Sequence, residues 1–277
     1  MLFALPVLAV LGPLMFYPVG QTIYHSFTNW DGIQSQWIGT AGYSQLFHNP
    51  EFVQVLENNA RMIVAVPVAI VASLGVAFLI NGRPRGWKFF RSIFFLPTAV
   101  SWVVIGYISV SFFQNYGILQ DALGRVGLGF LHPNLLSHQG GALVAVMLTF
   151  IWALFGVNLI IFLAGMATID QEIYDAAKID GASSLTVMWR ITLPLLRRFI
   201  QFALIFSLIT EFSALFSLIY IMTGGGPAFG TTTLEFFVYE QAFSVGNFGA
   251  AATAGVVLFA IIFTISMIQF RVLAGDE

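Results

Sequence analysis

The sequence predicts an all-α integral membrane protein with six transmembrane helices, and three observations predict it. The first is composition: 58% of the 277 residues are hydrophobic and 9% are charged, where a soluble domain carries about 25% charged residues. With a mean hydropathy of +0.87, a soluble chain of this length would leave most of its apolar surface unburied, so the bilayer is its solvent. The second is that six windows are long and apolar enough to span. The third is that the basic residues fall almost entirely on one side of those windows.

The windows are Leu2–Tyr24, Met62–Ile80, Phe94–Phe113, Ala142–Met166, Phe199–Met222 and Phe248–Phe270. A bilayer core takes about 20 helical residues, and runs this continuous do not suit the alternating strands of a lipid-facing barrel. Pro67 and Pro97 predict kinks, because each removes a backbone donor. The opening MLFALPVLAV has no basic leader and no small-residue cleavage site. It reads as a first span whose cytoplasmic leader is missing, not as a removed signal peptide. Arg83, Arg85, Lys88, Arg91, Lys178, Arg190, Arg197, Arg198 and Arg271 share one side, and Arg61 and Arg125 the other. Nine against two places the larger group, and both termini, in the cytoplasm.

Three long outer connections result: Ser26–Arg61, Gln114–Gly141 and Thr223–Asn247. Loops of that length do more than connect, and GILQDALGRVG in the middle one predicts a short interfacial helix. Neither an internal repeat nor a low-complexity linker divides the chain, so 1–277 reads as one membrane domain.

Several chemistries are excluded. The chain has no cysteine, hence no disulfide, iron–sulfur ligation or cysteine nucleophile. His25, His48, His132 and His138 all lie in outer connections, so no span offers a haem or metal ligand pair. Lys88 follows Trp87 and Lys178 follows Ala177, and neither completes the Gly-Lys-Ser/Thr of a phosphate-binding loop. The chain is therefore not an ATPase, and no nucleic-acid partner is expected.

One polar stretch stands between the fourth and fifth windows, TIDQEIYDAAKIDGASSLTVMWRITLPLL. Asp170 suits the N-cap of a helix from Gln171, and Glu172 its first turn. Gly181 suits a turn that resists a Cβ. Ser183 or Ser184 suits the cap of a second helix through Arg190, with Pro194 opening the fifth span at its first turn. The small Ala176 and Ala177 let another backbone approach, while Asp175, Lys178 and Asp180 give register. A docking knob under the membrane and an amphipathic linker packed beneath its own helices both fit this pattern.

The same stretch resembles the coupling motif of ABC importer permeases in its sugar-permease form, through Tyr174, Asp175, Ala176, Ala177, Ile179, Asp180, Gly181, Ala182, Ile191, Leu193 and Pro194. Asp175 stands where glutamate is commoner. SFTNWDG, FFRSIFFLPTAV, LAGMATID and MTGGGPAFGTTTLEFFVYEQAF also resemble the maltose-permease-like, binding-protein-dependent carbohydrate-uptake family. That resemblance implies a type I ABC importer permease fold in a bacterial or archaeal plasma membrane, with 167–198 as a cytoplasmic coupling segment. It implies a second permease, two ATP-binding subunits that hold the ATP and magnesium, and an extracytoplasmic binding protein or lipoprotein. No cofactor is expected in this chain. Sugars or related polyols are the implied cargo, although relatives of the family carry glycerol phosphate or its diesters. An ion-coupled secondary transporter, the rival class, predicts an inverted repeat and paired ionisable residues at the midplane, and neither is visible.

The substrate pathway is sought in polar groups at bilayer depth. Glu211 lies about 18 Å along the fifth window in a core of about 30 Å. Ser207, Glu211 and Ala214 share a face, with Thr210 alongside; Phe150, Ala153, Leu154 and Val157 form a stripe on the fourth window. In the resembled family, matching positions line the sugar cavity, where a ring stacks and a carboxylate accepts from hydroxyls. The stripe also suits plain helix packing, and Glu211 a structural pair with a cation of a partner. Asn158 suits an interhelical hydrogen bond.

Overall fold

The computed structural model describes residues 5–82, 85–128 and 135–274; Arg83 and His132, and the start of the first window at 2–4, lie outside them. Five helical runs among the described residues are long and apolar enough to cross a bilayer: Pro50–Asn81, Trp102–Arg125, Gln139–Met166, Arg197–Met222 and Phe248–Arg271. The first window is helical without a break from residue 5 to residue 25, as α1 (Leu5–Leu11), a wide turn (Gly12–Phe16) and α2 (Tyr17–His25). Pro13 and Pro18 lack the N–H that a regular ladder needs there, which accounts for the widened turn between them.

Two windows are corrected. The second does not begin at Met62. Helix α3 (Ala41–His48) is followed by α4 (Pro50–Ile63), capped by Asn49, and a break at Val64 leads into α5 (Ala65–Asn81). Pro67 cannot donate to the carbonyl of residue 63, so the ladder fails one turn before it. The third window is not one helix. Helix α6 (Trp87–Phe95) gives way at Pro97 to a tight turn (Leu96–Ala99). Ser101 then starts a new helix, α7 (Trp102–Phe113), by accepting from the Val104 N–H at 3.4 Å. A proline followed by a good cap ends a helix where a proline alone would bend it. GILQDALGRVG supplies α8 (Ile118–Arg125).

Helix α9 (Gln139–Met166) is the axis of the bundle. Helix α5 lies along it, and α13 (Arg197–Met222) crosses α7, α9 and α15 (Phe248–Ala274). Between α9 and α13 stand α10 (Gln171–Ile179), α11 (Ser184–Val187), a wide turn (Met188–Thr192) and α12 (Leu193–Leu195). Between α13 and α15 stand α14 (Leu234–Tyr239) and a wide turn (Glu240–Val245). The main core joins Val66, Ile70 and Leu74 of α5 to Phe150, Leu154 and Phe162 of α9 and Leu215, Leu218 and Ile219 of α13. A smaller cluster, Phe52, Val55, Leu234, Phe237 and Ala254, lies at the end of the bundle opposite the arginine-rich end.

Candidate functional site

At the arginine-rich end the polar stretch forms a turned pair of short helices. Asp170 occupies the N-cap of α10 but makes no side-chain cap bond, so that expectation fails in detail. Asp175 Oδ1 instead accepts from Lys178 Nζ at 3.1 Å and from Gln171 Nε2 at 3.3 Å. Those two donors, Lys178 first, hold the Asp175 carboxyl below the ordinary carboxylate range. The helix ends in a paired closure: the Ala182 N–H donates to Ala177 O at 2.9 Å and the Gly181 N–H to Lys178 O at 3.1 Å. That geometry needs a left-handed residue after the helix, and Gly181 supplies it with φ +72°. Ser183 then accepts from the Thr186 N–H at 3.2 Å and opens α11.

Ala177 is turned inward and Ala176 outward, and the Tyr174 hydroxyl lies 3.4 Å from Thr192 Oγ1, tying α10 to the wide turn before α12. Asp180 and Gly181 are exposed, and a Cβ on Gly181 would meet nothing within 4 Å. Ile179 is 87% exposed, with Leu185 and Trp189 also largely uncovered. The result is a rigid projection whose turn is set by local bonds and whose small and apolar side chains face outward.

The expected pathway residues do not lie together on an open surface. Glu211, Ser207, Phe150, Ala153 and Leu154 are buried inside the chain, while Thr210, Ala214 and Val157 are half-buried. Ser207 and Asn158 bond to each other across α13 and α9, at 3.3 and 3.4 Å. On the α9 stripe, Phe150 stacks on Trp102 with ring centroids 6.1 Å apart. A second hydroxyl face of α13 carries Thr210, Ser213 and Ser217, of which Ser213 is exposed and the other two half-buried. These stand at i, i+3 and i+7, one helical face. Ser213 and Ser217 escaped the sequence reading because it was anchored on Glu211, about 100° away per residue step.

Glu211 is fully buried, and among the described residues its side-chain partner is a carboxamide. Asn59 Nδ2 of α4 donates to Glu211 Oε1 at 3.1 Å, and Asn59 Oδ1 accepts from the Leu234 N–H at 2.9 Å. Beside it, Asn58 Nδ2 donates to Phe229 O at 2.7 Å and Thr232 O at 3.0 Å. Gln54 and Gln139 both donate to Ala228 O, at 3.2 and 2.9 Å. Glu235 Oε2 accepts from the Phe216 N–H of α13 at 3.0 Å. The connection expected to be an outer loop is thus packed into the bundle, with Thr231, Thr232, Thr233 and Leu234 all buried. Asn59 could have been found in the sequence, since Phe52, Val55, Asn59 and Met62 fall on one helical stripe.

A bundle of bilayer-length helices that ends in a rigid projection, with its polar groups turned inward or onto one helical face, has the build of a membrane permease. The chain belongs to the family of binding-protein-dependent transport system inner membrane components, which it matches over residues 65–275. It is similar to the multiple sugar-binding transport system permease protein MsmF of Streptococcus mutans, 33% identical over 92% of this chain and 88% of that one. It is also similar to the sulfoquinovosyl glycerol transport system permease protein SmoG of Agrobacterium fabrum, 32% identical over 98% and 89%. Its fold matches a chain in the crystal structure of a bacterial alginate ABC transporter in complex with an alginate pentasaccharide-bound periplasmic protein. There the TM-score is 0.82 at 21% identity, covering 98% of this chain and 93% of that one. The chain is accordingly a multi-pass protein of the inner (plasma) membrane and a transport subunit that is not itself catalytic. Members of the family carry no cofactor, and ATP is bound by the partner ATPase.

Proposed function

We propose that this chain is one permease of an ABC importer that moves a sugar or related polyol from an extracytoplasmic binding protein into the cytoplasm. In this reading residues 1–277 form one membrane domain. The unbroken helix over 5–25 is the first of six spans, and both termini are cytoplasmic. A second permease completes the pathway, and two ATP-binding subunits dock below. Tyr174, Asp175, Ala176, Ala177, Lys178, Asp180 and Gly181 form the docking knob, and its motion carries nucleotide-driven closure to the spans as a rigid-body step.

The observation that carries the reading is the projection at the arginine-rich end. Its turn is locked by Gly181 at φ +72°, yet Ile179 remains 87% exposed. An apolar side chain held out on a rigid support is the chemistry of a socket partner. Sugar as cargo is supported by the names of the two relatives and by the hydroxyl face of α13. Thr210, Ser213 and Ser217 offer hydroxyl oxygens on one helical face, suited to accepting from a hydroxyl-rich cargo.

The test is reconstitution of this chain with a second permease, an ATPase and a binding protein from the same organism. ATP hydrolysis is expected to rise when the binding protein is loaded with sugar, and labelled sugar to accumulate in the vesicles. Equal uptake by vesicles holding this chain alone would overturn the proposal, and so would stimulation by a glycerol phosphate but by no neutral sugar.

A further inference from the structure

The connection between α13 and α14 is held by side chains that come from far away in sequence. Asn59 is the central one, because it uses both ends of its carboxamide in opposite directions: its N–H to Glu211 of α13 at 3.1 Å, its oxygen from the Leu234 N–H at 2.9 Å. Asn58, fully buried next to it, grips the carbonyls of Phe229 and Thr232, and Gln54 and Gln139 grip Ala228 at the rim. Four carboxamides from α4 and α9 thus hold one stretch of main chain. Three buried polar atoms of the same region have no hydrogen-bond partner among the described residues: Asn58 Oδ1, Glu211 Oε2 and Thr233 Oγ1. A permanent polar core satisfies its members. Incomplete satisfaction lowers the cost of opening and suits contacts that are made in one state and broken in another.

We propose that Asn59 is a positioning residue: its carboxamide clips Glu211 to the main chain of Leu234 and holds the 224–239 segment closed on the bundle, and the clip opens when the transporter turns outward. The segment packs directly beside the hydroxyl face of α13, since Phe216 next to Ser217 donates its N–H to Glu235 and faces Phe236 across 6.1 Å. Releasing it would widen access to that face from the end opposite the arginine-rich one. This rests on the proposed alternating access, and deepens it by naming the side chain that sets when access is open.

The chain has no cysteine, so Thr233→Cys places a single thiol in the clip. Thr233 is fully buried and its hydroxyl has no partner among the described residues, so the exchange removes no bond seen there. The assembled transporter, in intact cells and then in vesicles, is treated with a membrane-impermeant maleimide. Labelling is expected to be slow in the resting complex. It should quicken at least about tenfold in the ATP- and vanadate-trapped complex, and likewise on adding Asn59→Leu, the scale of one lost hydrogen-bond pair in a local opening. Asn59→Asp alone should also quicken it, since two carboxyl groups then face each other. Asn59→Asp combined with Glu211→Gln should restore slow labelling. The new aspartate still accepts from the Leu234 N–H, and the new glutamine donates back to it.

Labelling that is equally slow in the resting and trapped complexes makes the clip static and overturns the proposal. Protection that the paired exchange fails to restore in an assembled complex overturns it too. If Asn59→Leu prevents assembly, the trapping experiment on the unaltered clip still decides. Sugar uptake is followed in the same cells. A labelling pattern as expected without sugar uptake sinks the sugar reading and leaves the clip standing.

Discussion

Two of the polar stretches that interrupt this apolar chain differ in how far away their supporting contacts lie. The projection over 171–195 is built from bonds between residues within about a turn of one another: Asp175 with Lys178, Ala182 with Ala177, Ser183 with Thr186. Its long-range tie is Tyr174 to Thr192, at 3.4 Å. The 224–239 segment has local bonds of its own, such as Thr231 Oγ1 to Gly226 O at 2.8 Å and Thr232 Oγ1 to Gly225 O at 3.0 Å, but adds a set of distant ones. Its main chain is held by Asn58 and Asn59, more than 170 residues away, and its side chains are buried where those of the projection are exposed. A feature stabilised locally keeps its shape while its neighbours move, which suits a part that transmits motion as a rigid body. A feature stabilised by distant contacts changes when those contacts change, which suits a part that opens and closes.

The contrast is sharpest at two glycines. Gly225 has φ +81°, and a Cβ there would stand 2.6 Å from Thr232 Oγ1 and 2.7 Å from Phe236 Cε1. Gly225→Val therefore meets both backbone strain and a clash inside a packed segment, together about 3–5 kcal/mol. The expected outcome is a chain that accumulates poorly in the membrane and does not assemble, read as yield of detergent-extracted complex. A normal yield would mean that the segment is as loose as a surface loop, and the contrast would fall.

Gly181→Val is expected to do less to the fold. Its φ is +72° but nothing lies within 4 Å of the added Cβ, so only the backbone term remains, about 1–2 kcal/mol. The complex should still form in reduced yield, while sugar-stimulated ATPase activity and transport part company because the turn of the knob is altered. Stimulated hydrolysis and uptake, measured on equal amounts of complex, check this. If both keep their normal ratio, the projection is only a linker.

The same contrast explains what the sequence disclosed. The cap at Ser183, the turn at Gly181 and the short helix at 118–125 are set by neighbouring residues, and reading the chain found them. The break at Pro97 was visible as a proline, but its outcome depended on Ser101 four residues on. Glu211 was recognised as an acid at depth, yet its partner Asn59 lies 152 residues away, and nothing local tells a buried carboxamide partner from a water-lined cavity. The inward turn of the 224–239 segment escaped for the same reason. Its polar composition reads as a loop, and donors from α4 and α9, together with its own Thr231 and Thr232 hydroxyls, make burial of its carbonyls tolerable.

The smallest effect is expected at Asp175. Its carboxylate pairs with Lys178 on the same helix, and the two side chains are 56% and 70% exposed. Solvent screens such a pair and the helix keeps its paired closure at Gly181 without it, so Asp175→Ala should change assembly and transport by no more than a few-fold. The pH dependence has a definite sign. The folded carboxyl titrates below its ordinary value, so what the pair contributes is fully present above the ordinary carboxylate range and is lost as pH falls through the lowered value. Across the neutral range the variant and the parent should therefore differ by a constant small factor, measured as the salt-dependent affinity of the isolated ATPase subunit for the membrane complex. A large loss at Asp175, equal to that at Gly181, would mean that the carboxylate leaves Lys178 and pairs across the interface when the ATPase docks. The projection would then be held in place by long-range contacts, as the 224–239 segment is.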